Sequence, residues 1–159
     1  MIPDISLQGP TLSIPPKIEY VNACLGFAEC IAGTLAFDAP AQSQIRLALE
    51  EILVFLIQTA FKRQSDASLF VSFEPQAHGL LVRINEKGLP LDTENMPSFS
   101  PERLKTDLNP DELNGLSLFL ARSVMDTVVF KNCGRHGTEI TLFKQLPGIQ
   151  CQTSIQFVP

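Results

Sequence analysis

Gly115 to Lys144 reads GLSLFLARSVMDTVVFKNCGRHGTEITLFK, and this stretch decides the fold of the whole chain. Leu116 to Met125 has the spacing of a helix behind a glycine. Thr127 to Asn132 and Glu139 to Lys144 read as paired strands, and Cys133 to His136 supplies the turn between them. A glycine that feeds a helix N-terminus leaves backbone N–H groups able to cradle a phosphate. The second strand is introduced by Gly137-Thr138. One glycine is a weak signal, and the order and spacing of the stretch make it stronger.

Moving outward, Lys87 to Asn114 is rich in Pro, Asp, Asn, Ser and Glu and has no apolar period. A loop of that length inside a domain is usually functional or mobile; its best candidate for a short helix is 100–104, where Pro101 suits a first turn. Before it, Ser68 to Phe73 and Leu80 to Asn85 form an expected hairpin across EPQAHG. Ile45, Leu49, Ile52, Leu56 and Ala60 place one buried stripe on a helix from Ala41 to Phe61. Ile18, Val21, Leu25, Ala28 and Ile31 do the same for a helix that follows Pro15-Pro16 and runs to Thr34, with a short edge strand at Thr11 to Ile14. The order (β)ααββ, loop, αββ predicts an α+β two-layer sandwich, with helices on one face of a mixed or antiparallel sheet. Residues 1–146 are expected to form a single domain. Residues 147–159 form a tail in which Thr153 to Val158 could add a strand.

The 159 residues suffice for a core without disulfides or metal. With 12 Lys+Arg against 17 Asp+Glu the net charge is −5, and no basic stripe marks a nucleic-acid partner. The N-terminus MIPDISLQGP has neither a basic nor an apolar signal region, and no apolar run reaches membrane-spanning length. These features predict a cytoplasmic protein. Cys24, Cys30, Cys133 and Cys151 lack CxxC spacing and are expected to be buried free thiols, with no metal site. His78 and His136 lie in turns away from any nucleophile pattern and read as surface residues.

Together, the element order, the segment IRLALEEILVFLIQTAF from Ile45 to Phe61, Glu86-Lys87-Gly88, Gly115-Leu116-Ser117, Met125-Asp126 and Gly137-Thr138 resemble the GHKL (histidine-kinase-like, Bergerat-fold) ATP-binding domain. The resemblance runs from about Ser13 to Leu146 and is strongest to bacterial anti-sigma-factor serine kinases. It implies the Bergerat fold, ATP or ADP as ligand, and a lid over the nucleotide within Lys87 to Asn114. It also implies a protein partner such as a sigma factor or a STAS-type antagonist, in bacterial signal transduction, and a homodimer.

By that resemblance Glu51 takes the catalytic acidic position, as general base or by orienting the attacking hydroxyl. Phe55 stands where the family has its metal-binding Asn, and Thr59 where it often has His. A phenyl ring offers no oxygen to Mg²⁺, which argues against the metal. Glu86 replaces the Asp that receives the adenine amino group, with Gly88 completing that motif. Gly115 and Ser117 replace Gly-x-Gly at the lid helix, Gly137 and Thr138 keep the last motif, and Arg122 is a candidate phosphate contact. Phe55, Glu86 and Ser117 each drift toward weaker nucleotide binding. The expectation is a divergent domain with weak or absent ATP turnover. The rival is an active serine/threonine kinase in which Asn85 or Asp92 supplies the missing ligand. Without the family, Glu51 reads as a solvated residue beside Glu50, Phe55 as core, Asn85 to Gly88 as a polar turn and Ser117 as a residue of the first helical turn.

Overall fold

The computed structural model describes residues 9–60, 67–87, 90–103 and 107–148. Strand β1 (Thr11–Ile14) leads through a 3-10 turn at Ile18–Tyr20 into helix α1 (Val21–Thr34) and helix α2 (Ala39–Thr59). Strands β2 (Leu69–Gln76) and β3 (Gly79–Glu86) follow, then a short 3-10 turn at Pro101–Arg103, helix α3 (Pro110–Val124), and strands β4 (Thr127–Asn132) and β5 (Thr138–Gln145). The five strands lie in the order β1-β2-β3-β5-β4, every neighbouring pair antiparallel.

Alternation along the strands assigns the two faces of the sheet. Leu80, Val82, Ile84 and Glu86 are buried while Leu81, Arg83 and Asn85 are only half-buried, as expected when successive side chains point to opposite faces. The buried face joins Leu69, Val71 and Phe73 of β2 and Ile140 and Leu142 of β5 to the stripes of α1 and α2 in one core. Helix α2 lies between α1 and α3, and Glu29 to Arg46 ties α1 to α2 at 3.1 Å. On the opposite face Arg83 bridges Glu74 at 3.2 Å and Glu139 at 3.5 Å.

Several boundaries differ from the sequence expectation, each for a local reason. Pro15-Pro16 does not enter the helix: the Lys17 N–H closes a tight turn on the Pro15 carbonyl at 2.8 Å and a 3-10 turn follows at Ile18–Tyr20, so α1 starts only at Val21. Helix α2 starts earlier, at Ala39, because the Asp38 carboxylate accepts from the Ala41 N–H at 2.9 Å and Pro40 fits the first turn. The β2–β3 hairpin closes on Ala77-His78, with Gln76 opposite Gly79. Pro75 lies beyond the end of β1, which pairs only as far as Ser72, so its missing N–H interrupts no ladder on that side.

The largest revision is at α3, which begins at Pro110 rather than Leu116. Asn109 accepts from the Glu112 N–H at 2.8 Å and Glu112 accepts from the Asn109 N–H at 3.0 Å, a reciprocal capping box. The preceding loop is shorter than expected, and its described part packs against the core through Leu91 and Met96. The strand expected at 153–158 lies outside the described residues. No helix among the described residues is long and apolar enough to cross a membrane.

The three cysteines among the described residues are free but not uniformly buried, and Cys151 lies outside those residues. Cys24 is buried, Cys133 half-buried and Cys30 exposed, because Cys30 lies on the outer side of α1. Burial pushes the Cys24 thiol from 9.0 up to about 11. A group whose pKa is higher folded than unfolded contributes full stability below its unfolded value and loses it as pH rises through the folded one. Stability should therefore decline from about pH 9 toward 11. At pH 8, iodoacetamide followed by peptide mapping should label Cys30 in the native protein and Cys24 only after unfolding; equal labelling of the two would contradict this placement.

Candidate functional site

One end of the sheet gathers three of the residues singled out from sequence. Glu86 and Thr138 face each other in the β3–β5 register, and both are fully buried. Gly137 enters β5 with φ +82, and a Cβ there would sit 1.8 Å from the Glu86 carbonyl oxygen, so only glycine permits this approach. Gly88, their expected companion, lies outside the described residues.

A residue with no sequence signal completes this end of the sheet. The Leu91 N–H donates to Thr138 Oγ1 at 2.9 Å, and Asn132 Nδ2 donates to the Leu91 carbonyl at 3.1 Å. Asn132 also accepts the Gly134 N–H at 2.8 Å, which fixes its amide. The chain after β3 is thereby pinned across β4 and β5.

Beside this contact, α2, the segment 91–97 and the start of α3 enclose a cleft of about 400 Å³. Phe55 and Thr59 line it from α2, Asp92, Asn95 and Met96 from the segment, and Asp111 and Asn114 from α3. Phe55 is only 2% exposed. The Thr59 hydroxyl donates back to the Phe55 carbonyl at 2.6 Å. Asp92 accepts from Asn95 Nδ2 at 2.7 Å and from the backbone N–H groups of Glu94 and Asn95. These bonds, the Asn95 side chain foremost, hold its carboxyl below the usual range. Glu51 is half-buried one turn before Phe55 and falls outside the lining, in which no Lys or Arg stands among the described residues.

Other expected contributors are placed elsewhere. Gly115 does not open α3 but sits in its interior, and Ser117 follows it there. Only the first N–H groups of a helix lack intrahelical partners, so the backbone at 115–117 has none to offer a phosphate. Gly115 instead receives the neighbouring segment: a Cβ there would lie 2.5 Å from the Ser98 carbonyl oxygen. Arg122 lies over the Phe130 ring at 5.7 Å and lines a separate recess of about 210 Å³ with Phe99 and Phe119. Asn85 projects from the sheet face opposite Glu86 and cannot reach the cleft. His78 and His136 are exposed in turns, as expected.

A cleft of about 470 Å³ lies at the opposite end of α2, around Asp38, Gln44, Asp126 and Lys144. Its charged groups serve the fold: Lys144 Nζ donates to the Val124 carbonyl at 2.7 Å, and Asp126 accepts the Gln145 N–H at 2.7 Å. Among the described residues no group of three or more His, Cys, Asp or Glu is placed to hold a metal.

Residues 14–144 match the histidine kinase-like ATPase domain, and the chain belongs to that family. It is 29% identical over 119 residues to the serine-protein kinase RsbW of Listeria innocua, covering 74% of this chain and 76% of that protein. The RsbW proteins of Listeria monocytogenes match to the same extent. The fold is shared with solved structures, of which two illustrate it. One holds the RsbU and RsbW domains of a Mycobacterium tuberculosis protein, at TM-score 0.55 and 12% identity, covering 86% of this chain and 32% of that one. The other is the histidine kinase domain of a blue-light activated kinase from Erythrobacter litoralis, at TM-score 0.52 and 16% identity, covering 84% of this chain and 62% of that one.

Two glycines in the β4–β5 turn separate conformational cost from steric cost. Gly134 has φ +59 with open space around it, whereas Gly137 has φ +82 against the Glu86 carbonyl. Gly134→Ala should cost about 1–2 kcal/mol in chemical denaturation, the ordinary left-handed penalty. Gly137→Ala should cost clearly more, because the β3–β5 register must shift as well; similar losses for the two would contradict the close approach.

Proposed function

We propose that this chain is a divergent domain of the anti-sigma type, acting in bacterial signal transduction in the cytoplasm by binding a protein partner, with weak or absent ATP turnover. The similarity to RsbW serine-protein kinases supports the class of protein. By resemblance, the partner is a sigma factor or a STAS-type antagonist. The observation that carries the loss of turnover is Phe55, buried at the wall of the cleft at the position where the resembling family has a metal-binding Asn.

Phosphoryl transfer depends on positioning and on charge neutralisation, much of it by Mg²⁺, which takes oxygen ligands. The residues of this cleft, as placed, do not fit a magnesium nucleotide. Phe55 brings no oxygen, the Thr59 hydroxyl is turned to the Phe55 carbonyl, and the Asp92 carboxylate is committed to its own turn. Among the described residues of the lining no Lys or Arg offsets its two carboxylates against a nucleotide's phosphates. Thr138 already accepts a hydrogen bond from Leu91. On this reading Glu51 is a candidate base beside a cleft whose residues do not fit the metal.

Phe55→Asn tests the reading. Removing the buried ring should cost roughly 3–5 kcal/mol, the usual range for a large-to-small core change, and should restore an oxygen ligand at the cleft. Melting with and without Mg-ATP should show a ligand-dependent rise in the variant and none in the unaltered protein. A rise in both, or in neither, would overturn the assignment of Phe55 as the blocking group.

A further inference from the structure

We propose that the recess between α3 and residues 97–99 is a docking point for a segment of a protein partner, taking one bulky apolar side chain and, beside it, a carboxylate that Arg122 clamps. The inference rests on the reading of this domain as one that acts by binding a protein. It adds the surface and the chemistry of the segment that binds there. Among the described residues the recess shares only Pro97 with the cleft beside Phe55.

Helical spacing builds the recess. Gly115, Leu118, Phe119 and Arg122 are three or four residues apart, so they share one side of α3. The bare Cα of Gly115 lets the neighbouring backbone come so near that a Cβ would lie 2.5 Å from the Ser98 carbonyl oxygen. Phe99 then tilts its ring on Phe119, with centroids 5.5 Å apart, while Leu118, 1% exposed, belongs to the core below. The Ser123 hydroxyl donates to the Phe119 carbonyl at 2.7 Å. Arg122 is thus the one charged group of the lining among the described residues.

Two groups here are only half used by the fold. Phe119 keeps 37% of its surface exposed at the recess, and a ring open to a partner is what interface cores favour. The Arg122 guanidinium lies over the Phe130 ring at 5.7 Å, and no carboxylate pairs with it among the described residues. Stacking occupies the face of a guanidinium and leaves its N–H edge, a fork that matches both oxygens of a carboxylate. The acids of α3, Asp111 and Glu112, stand in its first turn, roughly 15 Å up the helix at about 1.5 Å per residue. In a chain of net charge −5, an unpaired cation beside an open ring selects an acidic visitor. At about 210 Å³ the recess falls below the roughly 300–1,000 Å³ of small-molecule sites. It therefore suits a single side chain, with the rest of the segment lying over α3.

The test is an NMR titration of the isotope-labelled chain with two capped tripeptides, acetyl-Glu-Phe-Glu-amide and acetyl-Lys-Phe-Lys-amide. The acidic peptide should move the amide signals of Phe99, Phe119 and Arg122 saturably and bind at least fivefold more tightly than the basic one. Arg122→Gln removes the charge, and Arg122→Lys keeps it but loses the fork; each should weaken the acidic peptide at least threefold with an unchanged melting temperature. Absence of saturable shifts at these residues, a preference below fivefold, or unchanged affinity in either variant overturns the proposal. Signals that move on dilution of the chain alone would assign the recess to a second copy, and phenylpropionate binding as tightly as the peptide would assign it to a small aromatic acid; either result also overturns it. Such a failure removes this surface alone, whereas micromolar, Mg²⁺-dependent ATP binding would remove the reading on which it rests.

Discussion

The close approach of Gly137 to the Glu86 carbonyl is the contact on which the functional end of this domain depends. With a Cβ position only 1.8 Å from that oxygen, the backbone entering β5 can lie against the end of β3 only as glycine. That approach sets the register in which Glu86 meets Thr138 and Asn132 meets Thr138. Thr138 and Asn132 in turn hold Leu91. Register, buried acid and the course of the loop after β3 thus follow from one glycine.

Helix α2 supplies the other half of the site. Its buried stripe is anchored in the core by Ile45, Leu49, Ile52 and Leu56, and this rotation about the helix axis brings Phe55 to the wall of the cleft. Burying such a ring stabilises the domain by removing apolar area from water. The same ring makes that wall apolar in a cleft whose charged groups, among the described residues, are the carboxylates of Asp92 and Asp111. On the proposed reading, stability has been gained at a position where metal chemistry was lost, and the framework is left to present surfaces to a protein partner.

Most of the fold was legible because its signals are local and periodic: the stripes of α1 and α2, the alternation of β3, and the Gly137-Thr138 strand opening. The start of α3 lies ahead of Gly115 because Asn109-Pro110-Asp111-Glu112 forms a capping box with proline in the first turn, a signal that is present in the sequence. The convergence of Glu86, Gly137 and Thr138 was also within reach, since all three sit at strand ends. The role of Leu91 was not, because a backbone N–H that reaches a hydroxyl 47 positions away leaves no mark in residue type. The displacement of Arg122 onto Phe130 likewise depends on packing between α3 and β4 that no local pattern encodes.

The central claim is that this domain retains the histidine-kinase-like framework without a working metal–nucleotide site. Isothermal titration of the unaltered chain with ATP, in the presence and absence of Mg²⁺, addresses it most directly. The account predicts weak or undetectable binding that Mg²⁺ does not strengthen. A micromolar dissociation constant that is lost when Mg²⁺ is withdrawn would contradict it.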